Sequence, residues 1–258
     1  MSMNQTVAIV TGASQGIGKA TAIRLARDFS AVALVARNQA KLEETATAVR
    51  HAGARALVID MDLVEPAAAK KVVDRTLEAF GRIDALLNIA GAVPQIDVFE
   101  MTDAQWDAGM ALKLHGARRL TIEAWPALKE SHGAVVLISG NSAAFPKAPY
   151  AAVGTINAAI VALAKAFSDR GIADGVQVNS VLPGAVMTGR RRSYLEHWAP
   201  LHDMTVEEAT AKFPHDAGIA RYGEPEEIAD LMAFLVAPGS HWLTGSSIRM
   251  DGGELKSI

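Results

Sequence analysis

The sequence predicts an α/β fold in which helices cover a parallel sheet. Two observations carry this. Short apolar runs alternate with longer helical stretches along all 258 residues. Half of the residues are hydrophobic but only 5% are aromatic, so the core has to be built from Ala, Val, Ile and Leu, as in strands buried on both faces. The length is ordinary for one α/β domain, and no repeat or low-complexity linker divides 1–258.

Taken in order, "VAIVTG" (7–12) is the first strand, and a glycine-rich turn leads into a helical pattern over 17–28. "AVALVAR" (31–37) and "ARALVID" (54–60) are strands, each followed by a helix, over 38–52 and over 66–80 with Pro66 early in it. "IDALLNIAG" (83–91) precedes a long helix over 103–129, whose start "MTDAQW" puts an acid in the first turn. "GAVVLISG" (133–140) leads to a helix over 150–170, and "VQVNSVLPG" (176–184) follows. The segment 185–223 breaks the rhythm: it is long, polar and mixed, and reads as an inserted lid. "GEPEEI" opens a helix over 224–236, and "SSIRMDGG" (246–253) is the last strand.

Composition narrows the function. A formal net charge of −3 gives no reason to expect nucleic acid or an anionic membrane as partner. With no cysteine, thiolate catalysis, disulfides and zinc–thiolate sites are excluded. "MSMNQTVAIV" lacks the pattern of a signal peptide, and no apolar run reaches about 18 residues, so no membrane span is expected. A cytoplasmic protein acting on a small molecule is the expectation. The histidines show no metal spacing, Asp60 and Asp62 make an improbable pair, and no metal is expected.

The strand–turn–helix "VAIVTGASQGIGKATAIRLA" suits a dinucleotide. Gly12, Gly16 and Gly18 allow a tight turn and close backbone approach, and the helix start offers free N–H groups to a pyrophosphate. Where the second strand ends, Ala36 stands in place of an acid and Arg37 follows, which favours NADP over NAD. Gln15 supplies no second positive charge, which weakens that preference.

These features, with "TGASQGIG" (11–18), the Asp62 of "MDL", "NIAG" (88–91), "VQVNSVLPG" and "DGG" (251–253) in this order, resemble the short-chain dehydrogenase/reductase family over essentially the whole chain. The resemblance implies a single Rossmann-type domain with a doubly wound seven-stranded parallel sheet, NADP or NAD as cofactor, and a homodimer or homotetramer. Carried over residue by residue, Gly12, Ser14, Ile17 and Gly18 would line the phosphates, and Asp62 would approach the adenine. Asn88, with Ala90 and Gly91 after it, would lie toward the adenosine ribose; Pro183, Gly184, Val186 and Thr188 would line the nicotinamide end. Ile89 departs from the family's second asparagine and reads as core filling.

The same resemblance implies hydride transfer assisted by an Asn–Ser–Tyr–Lys tetrad, in which tyrosine moves the proton. Tyr150 is the tempting tyrosine, but Gly154 occupies the position where its lysine partner would stand, four residues later on the same helix face. Laying the family pattern without gaps from both flanks instead gives Lys113, Gly140, Val153 and Asn157. The stripe Val153, Ile156, Ile160, Leu163 and Phe167 supports that register. Val153 has no proton to give and Gly140 no hydroxyl.

Asparagine and lysine look exchanged, so Lys113 and Asn157 are expected to meet near the nicotinamide ribose, with Lys113 donating to a substrate oxygen. Tyr150 and Ser142 remain secondary candidates, and a Lys113 pointing to solvent is the competing expectation. Arg190, Arg191 and Arg192 at the start of the lid suit an anionic substrate, or simply a solvated loop. Two functions fit: an oxidoreductase with a rebuilt site, or a cofactor-binding protein without turnover.

Overall fold

The computed structural model describes residues 5–256. Seven strands, Val7–Thr11 (β1), Ala31–Ala36 (β2), Arg55–Asp60 (β3), Ala85–Asn88 (β4), Ala134–Ile138 (β5), Gln177–Pro183 (β6) and Ser247–Met250 (β7), form one sheet. Its order is β3-β2-β1-β4-β5-β6-β7 and every pairing is parallel. The chain reverses direction across the sheet between β1 and β4, which opens a crevice at their C-terminal ends.

Strand pleating divides the apolar side chains between two cores. In β1, Ala8 and Val10 join Ala22, Leu42 and Met232 on one face, while Ile9 joins Val72, Leu120 and Ile160 on the other. The first face is covered by Gly16–Leu25 (α1), Gln39–His51 (α2) and, later in the chain, Pro225–Leu235. The opposite face is covered by Ala68–Phe80 (α3), Ala117–Ser131 and Ala151–Asp174.

The elements follow the sequence patterns, with three local differences. Pro66 lies in a turn, because α3 starts only at Ala68 after Ala67. The predicted helix 103–129 is not continuous. Asp103–Met110 (α4), opened by a Thr102–Gln105 capping box, passes through a π-helical stretch at Ala111–Gly116 before Ala117–Ser131 (α5). Finally, Ala148–Asp174 is long and apolar enough, at a mean hydropathy of 1.5, to cross a membrane by length and composition, which the search for unbroken apolar runs did not anticipate. In this fold the helix Ala151–Asp174 (α6) buries Ile160 and Ala164 against the sheet. The signal-peptide reading falls partly on residues 1–4, which lie outside the described residues.

The segment 185–223 carries two helices, Gly189–Trp198 (α7) and Val206–Ala217 (α8), with a small core of their own around Leu195, Ala209 and Tyr222. Its two ends are pinned together. Val186 bridges Gly223, and the Met187 and Gly223 amides donate to Gly223 O and Ala185 O at 2.8 and 2.9 Å. The last sheet-covering helix, Pro225–Leu235 (α9), follows at once.

Candidate active site

A cleft of about 1840 Å³ runs over the C-terminal ends of β1, β4 and β5, from Arg37 and Lys41 at one end to the lid residues Tyr194 and Phe213 at the other. Its first half is built from backbone. Gly12 has φ +68°, and a Cβ there would meet Ala90 Cα at 3.1 Å; a Cβ on Gly18 would lie 2.1 Å from Gly12 O. Side chains are therefore excluded where β1 turns into α1. Gln15 at the start of α1 makes no side-chain cap, so the first N–H groups of the helix stay open toward the cleft. Thr11 holds the two sides of the crevice together: its hydroxyl accepts from the Ile89 and Ala90 amides at 2.8 and 3.0 Å.

Ser14, Gly16, Ile17, Arg37, Asp62, Ala90, Gly91, Pro183, Gly184 and Thr188 line this cleft, as expected. Asp62 caps its own turn by accepting from the Val64 amide at 3.1 Å and lies 3.8 Å from Arg37. Two expected residues do not face the cleft. Asn88 is 4% exposed and donates to Thr121 Oγ1 at 3.1 Å, because the crevice wall after β4 is supplied by the backbone of the next residues. Val186 is buried in the core at the base of the lid, held there by its bridge to Gly223. Sequence reading missed Lys41. One turn into α2, its ammonium donates to Gln15 Oε1 at 3.2 Å, which adds the second cation beside Arg37 that Gln15 lacks.

The second half of the cleft is built from side chains. Lys113 Nζ donates to Asn157 Oδ1 at 2.5 Å and to Ser139 O at 3.1 Å, so the ammonium turns inward rather than to solvent. Asn157, 3% exposed, passes the contact on: its Nδ2 donates to Ser142 Oγ at 2.8 Å. Ser139 Oγ in turn donates to Asn157 O at 2.8 Å and fixes the start of α6.

Glycines make room for this network. A Cβ on Gly140 would stand 2.8 Å from Asn157 Nδ2, and one on Gly91 would stand 3.1 Å from Lys113 Cδ. The Asn157 amide thus occupies the space that a side chain at position 140 would need. The π-helical stretch carries Lys113 at its third residue. Burial pulls Lys113 down from 10.5 to about 8, with a smaller push from the nearby Arg190 charge.

Val153 lines the cleft beside this network, as its register requires. Tyr150 also lines it, but as the residue before α6, and it takes no part in the Lys113–Asn157–Ser142 chain. Among the described residues no three His, Asp or Glu side chains gather as a metal would need. The open α1 start, the glycines of the turn before it and the Arg37–Lys41 pair fit a phosphorylated dinucleotide.

Comparison with known proteins agrees with this geometry. The family described as enoyl-(acyl carrier protein) reductase matches residues 12–254. A short-chain reductase protein, NovJ of Streptomyces niveus, is 34% identical over 251 residues, covering 97% of this chain and 94% of its own. Versicolorin reductase of Emericella nidulans is 30% identical, with 97% and 96% covered. Among solved structures, L-sorbose reductase of Gluconobacter frateurii, complexed with NADPH and L-sorbose, superposes with a TM-score of 0.91 at 27% identity, covering 100% and 99% of the two chains. An actinorhodin polyketide ketoreductase with NADPH gives 0.92 at 28% identity, covering 98% and 99%.

Proposed function

The chain belongs to the short-chain dehydrogenase/reductase family of oxidoreductases, and from that premise we propose that it is an NADP-dependent reductase of a carbonyl compound in which Lys113 replaces the family's tyrosine. The single observation that carries this reading is the inward-turned Lys113 ammonium, hydrogen-bonded to Asn157 in the substrate half of the cleft. The Arg37–Lys41 pair supports NADP, as does the NADPH named with two structural neighbours.

NADP, when bound, gives or takes a hydride at its nicotinamide ring. The chain's own residues supply the rest. An ammonium has three N–H donors. Two of those on Lys113 are engaged by Asn157 Oδ1 and Ser139 O, which leaves one for an oxygen in the cleft. Asn157 spends both ends of its amide on Lys113 and Ser142, so Ser142 accepts from Asn157 and keeps its own O–H to donate to the substrate oxygen. In a carbonyl reduction Lys113 Nζ would give the proton that the carbonyl oxygen needs, with the hydride supplied by the bound NADPH. An alcohol and a neutral amine result, and solvent returns the proton through the open cleft. An ammonium at about 8 is suited to this, because both protonation states are within reach near neutral pH.

A second reading, cofactor binding without turnover, is favoured by Val153 and Gly140, which carry neither the proton nor the hydroxyl of the family's tetrad. NADPH oxidation over a panel of ketones and aldehydes separates the two, with NADPH affinity measured in parallel. Consumption of NADPH with at least one carbonyl is the expected result. Tight NADPH binding without any consumption would support the second reading.

A further inference from the structure

The lid holds a cation that no carboxylate among the described residues neutralises. Arg191, half-buried on α7, lines the substrate end of the cleft. Its guanidinium lies 5.0 Å from the centre of the Phe213 ring, 5.6 Å from Tyr194 and 6.0 Å from Tyr222, within cation–π reach of all three. Rings position a guanidinium but offer no lone pair in return. No carboxylate among the described residues pairs with it, although Arg82, Arg170 and Arg221 each hold an acid at 2.6 to 2.7 Å. Of the three acids on the facing helix, Asp216 is the one that lines the cleft, and it is already engaged by Lys212 at 2.6 Å. Even the buried Tyr222 hydroxyl beside it lacks a hydrogen-bond partner. An arginine preorganised in this way presents a planar fork of donors that matches a carboxylate or a phosphate.

The walls of the same end indicate what the anion is attached to. The chain contains only seven Phe, four Trp and three Tyr. Phe145, Tyr150, Tyr194, Trp198 and Phe213 all line this one cleft. Such walls bury a flat apolar body and leave its polar ends to a few fixed groups.

We infer that the substrate is a carbonyl compound with a flat, apolar body and an oxyanion, and that Arg191 binds that oxyanion. The inference deepens the reductase reading and rests on it for the carbonyl, but the anion site is testable without turnover. Calorimetric titration of the NADPH-loaded full chain compares three probes: para-acetylbenzoate, its methyl ester and para-acetylphenyl phosphate. At least one anion should bind about tenfold more tightly than the ester, as a charge-assisted pair supplies. The tighter of the two anions identifies carboxylate or phosphate as the source.

In Arg191→Met the preference for the anion should vanish while NADPH affinity stays unchanged. Arg191→Lys, which keeps the charge but loses the fork, should retain part of it. Four results would overturn the inference: an ester that binds as well as both anions, no anion binding at millimolar concentration, a preference that survives Arg191→Met, or a loss in that variant of NADPH affinity instead. The acid–ester comparison on the unmodified chain decides the matter even where a variant does not fold. An anion that binds but is not reduced leaves the Arg191 site standing and counts against the reductase reading alone.

Discussion

The two ends of the cleft are built on different principles. At the dinucleotide end the work falls to backbone: Gly12 and Gly18 exclude side chains, and the uncapped start of α1 offers its amides. At the substrate end it falls to side chains, and there Lys113, Asn157 and Ser142 form a connected chain. At Gly12 and Gly18 an added side chain would collide with facing backbone, so this end cannot take one without losing its shape. A side-chain site can be rewired, provided each donor finds an acceptor and each added volume finds a gap. Gly140 is that gap, since its missing Cβ makes room for the Asn157 amide.

The sharpest break in this contrast is Lys113→Met. Loss of a positioned acid should lower turnover by about 10²–10⁴-fold, while fluorescence titration should find NADPH bound within a few-fold of normal. Equal losses in both would merge the two ends into one. Ser142→Ala removes the hydroxyl oriented by Asn157 and should lower kcat by about 10²-fold, as for a single donor at a developing oxyanion.

Gly140→Ser is the counter-intuitive member of the set. It adds a hydroxyl beside the network, yet its Cβ would press on Asn157 Nδ2 at 2.8 Å. Urea unfolding should show a loss of about 1–3 kcal/mol from overpacking, and activity should fall rather than rise. A more active Gly140→Ser enzyme would mean the network is not the working one.

Lys113 also couples protonation to stability. Its folded pKa is about 8, below the usual 10.5, so between these values the unfolded chain binds more protons. Burying the charge costs stability most fully below about 8, and the contribution improves as pH rises across that window, by at most about 3 kcal/mol. The pH dependence of unfolding should therefore be shallower in Lys113→Met over that range. The smallest effect belongs to the far end. Arg37→Ala and Lys41→Ala remove exposed cations and should each reduce the preference for NADPH over NADH by no more than about tenfold.

The fold was legible because its five inner strands are buried on both faces and read as apolar runs. Their ends were less so: "IDALLNIAG" continues beyond Asn88 into the crevice wall, where the same small residues serve a loop. That Lys113 and Asn157 meet was legible from register alone. What made it work was not, because a π-helical stretch and the missing Cβ of Gly140 act through space between segments far apart in sequence. Lys41 escaped for a similar reason, since only the packing of α2 beside the turn brings it to Gln15. Asn88 and Val186 show the converse, residues that match a motif while their side chains serve the core.

The most direct test of Lys113 as proton donor is the pH dependence of the hydride-transfer rate, measured by stopped-flow at saturating NADPH with a carbonyl the enzyme reduces. The rate should be level on the acid side and fall as pH rises through about 8, where the ammonium is lost; in Lys113→Met it should be low and flat across the same range. A variant that keeps both the rate and the titration of the unmodified chain would contradict the account.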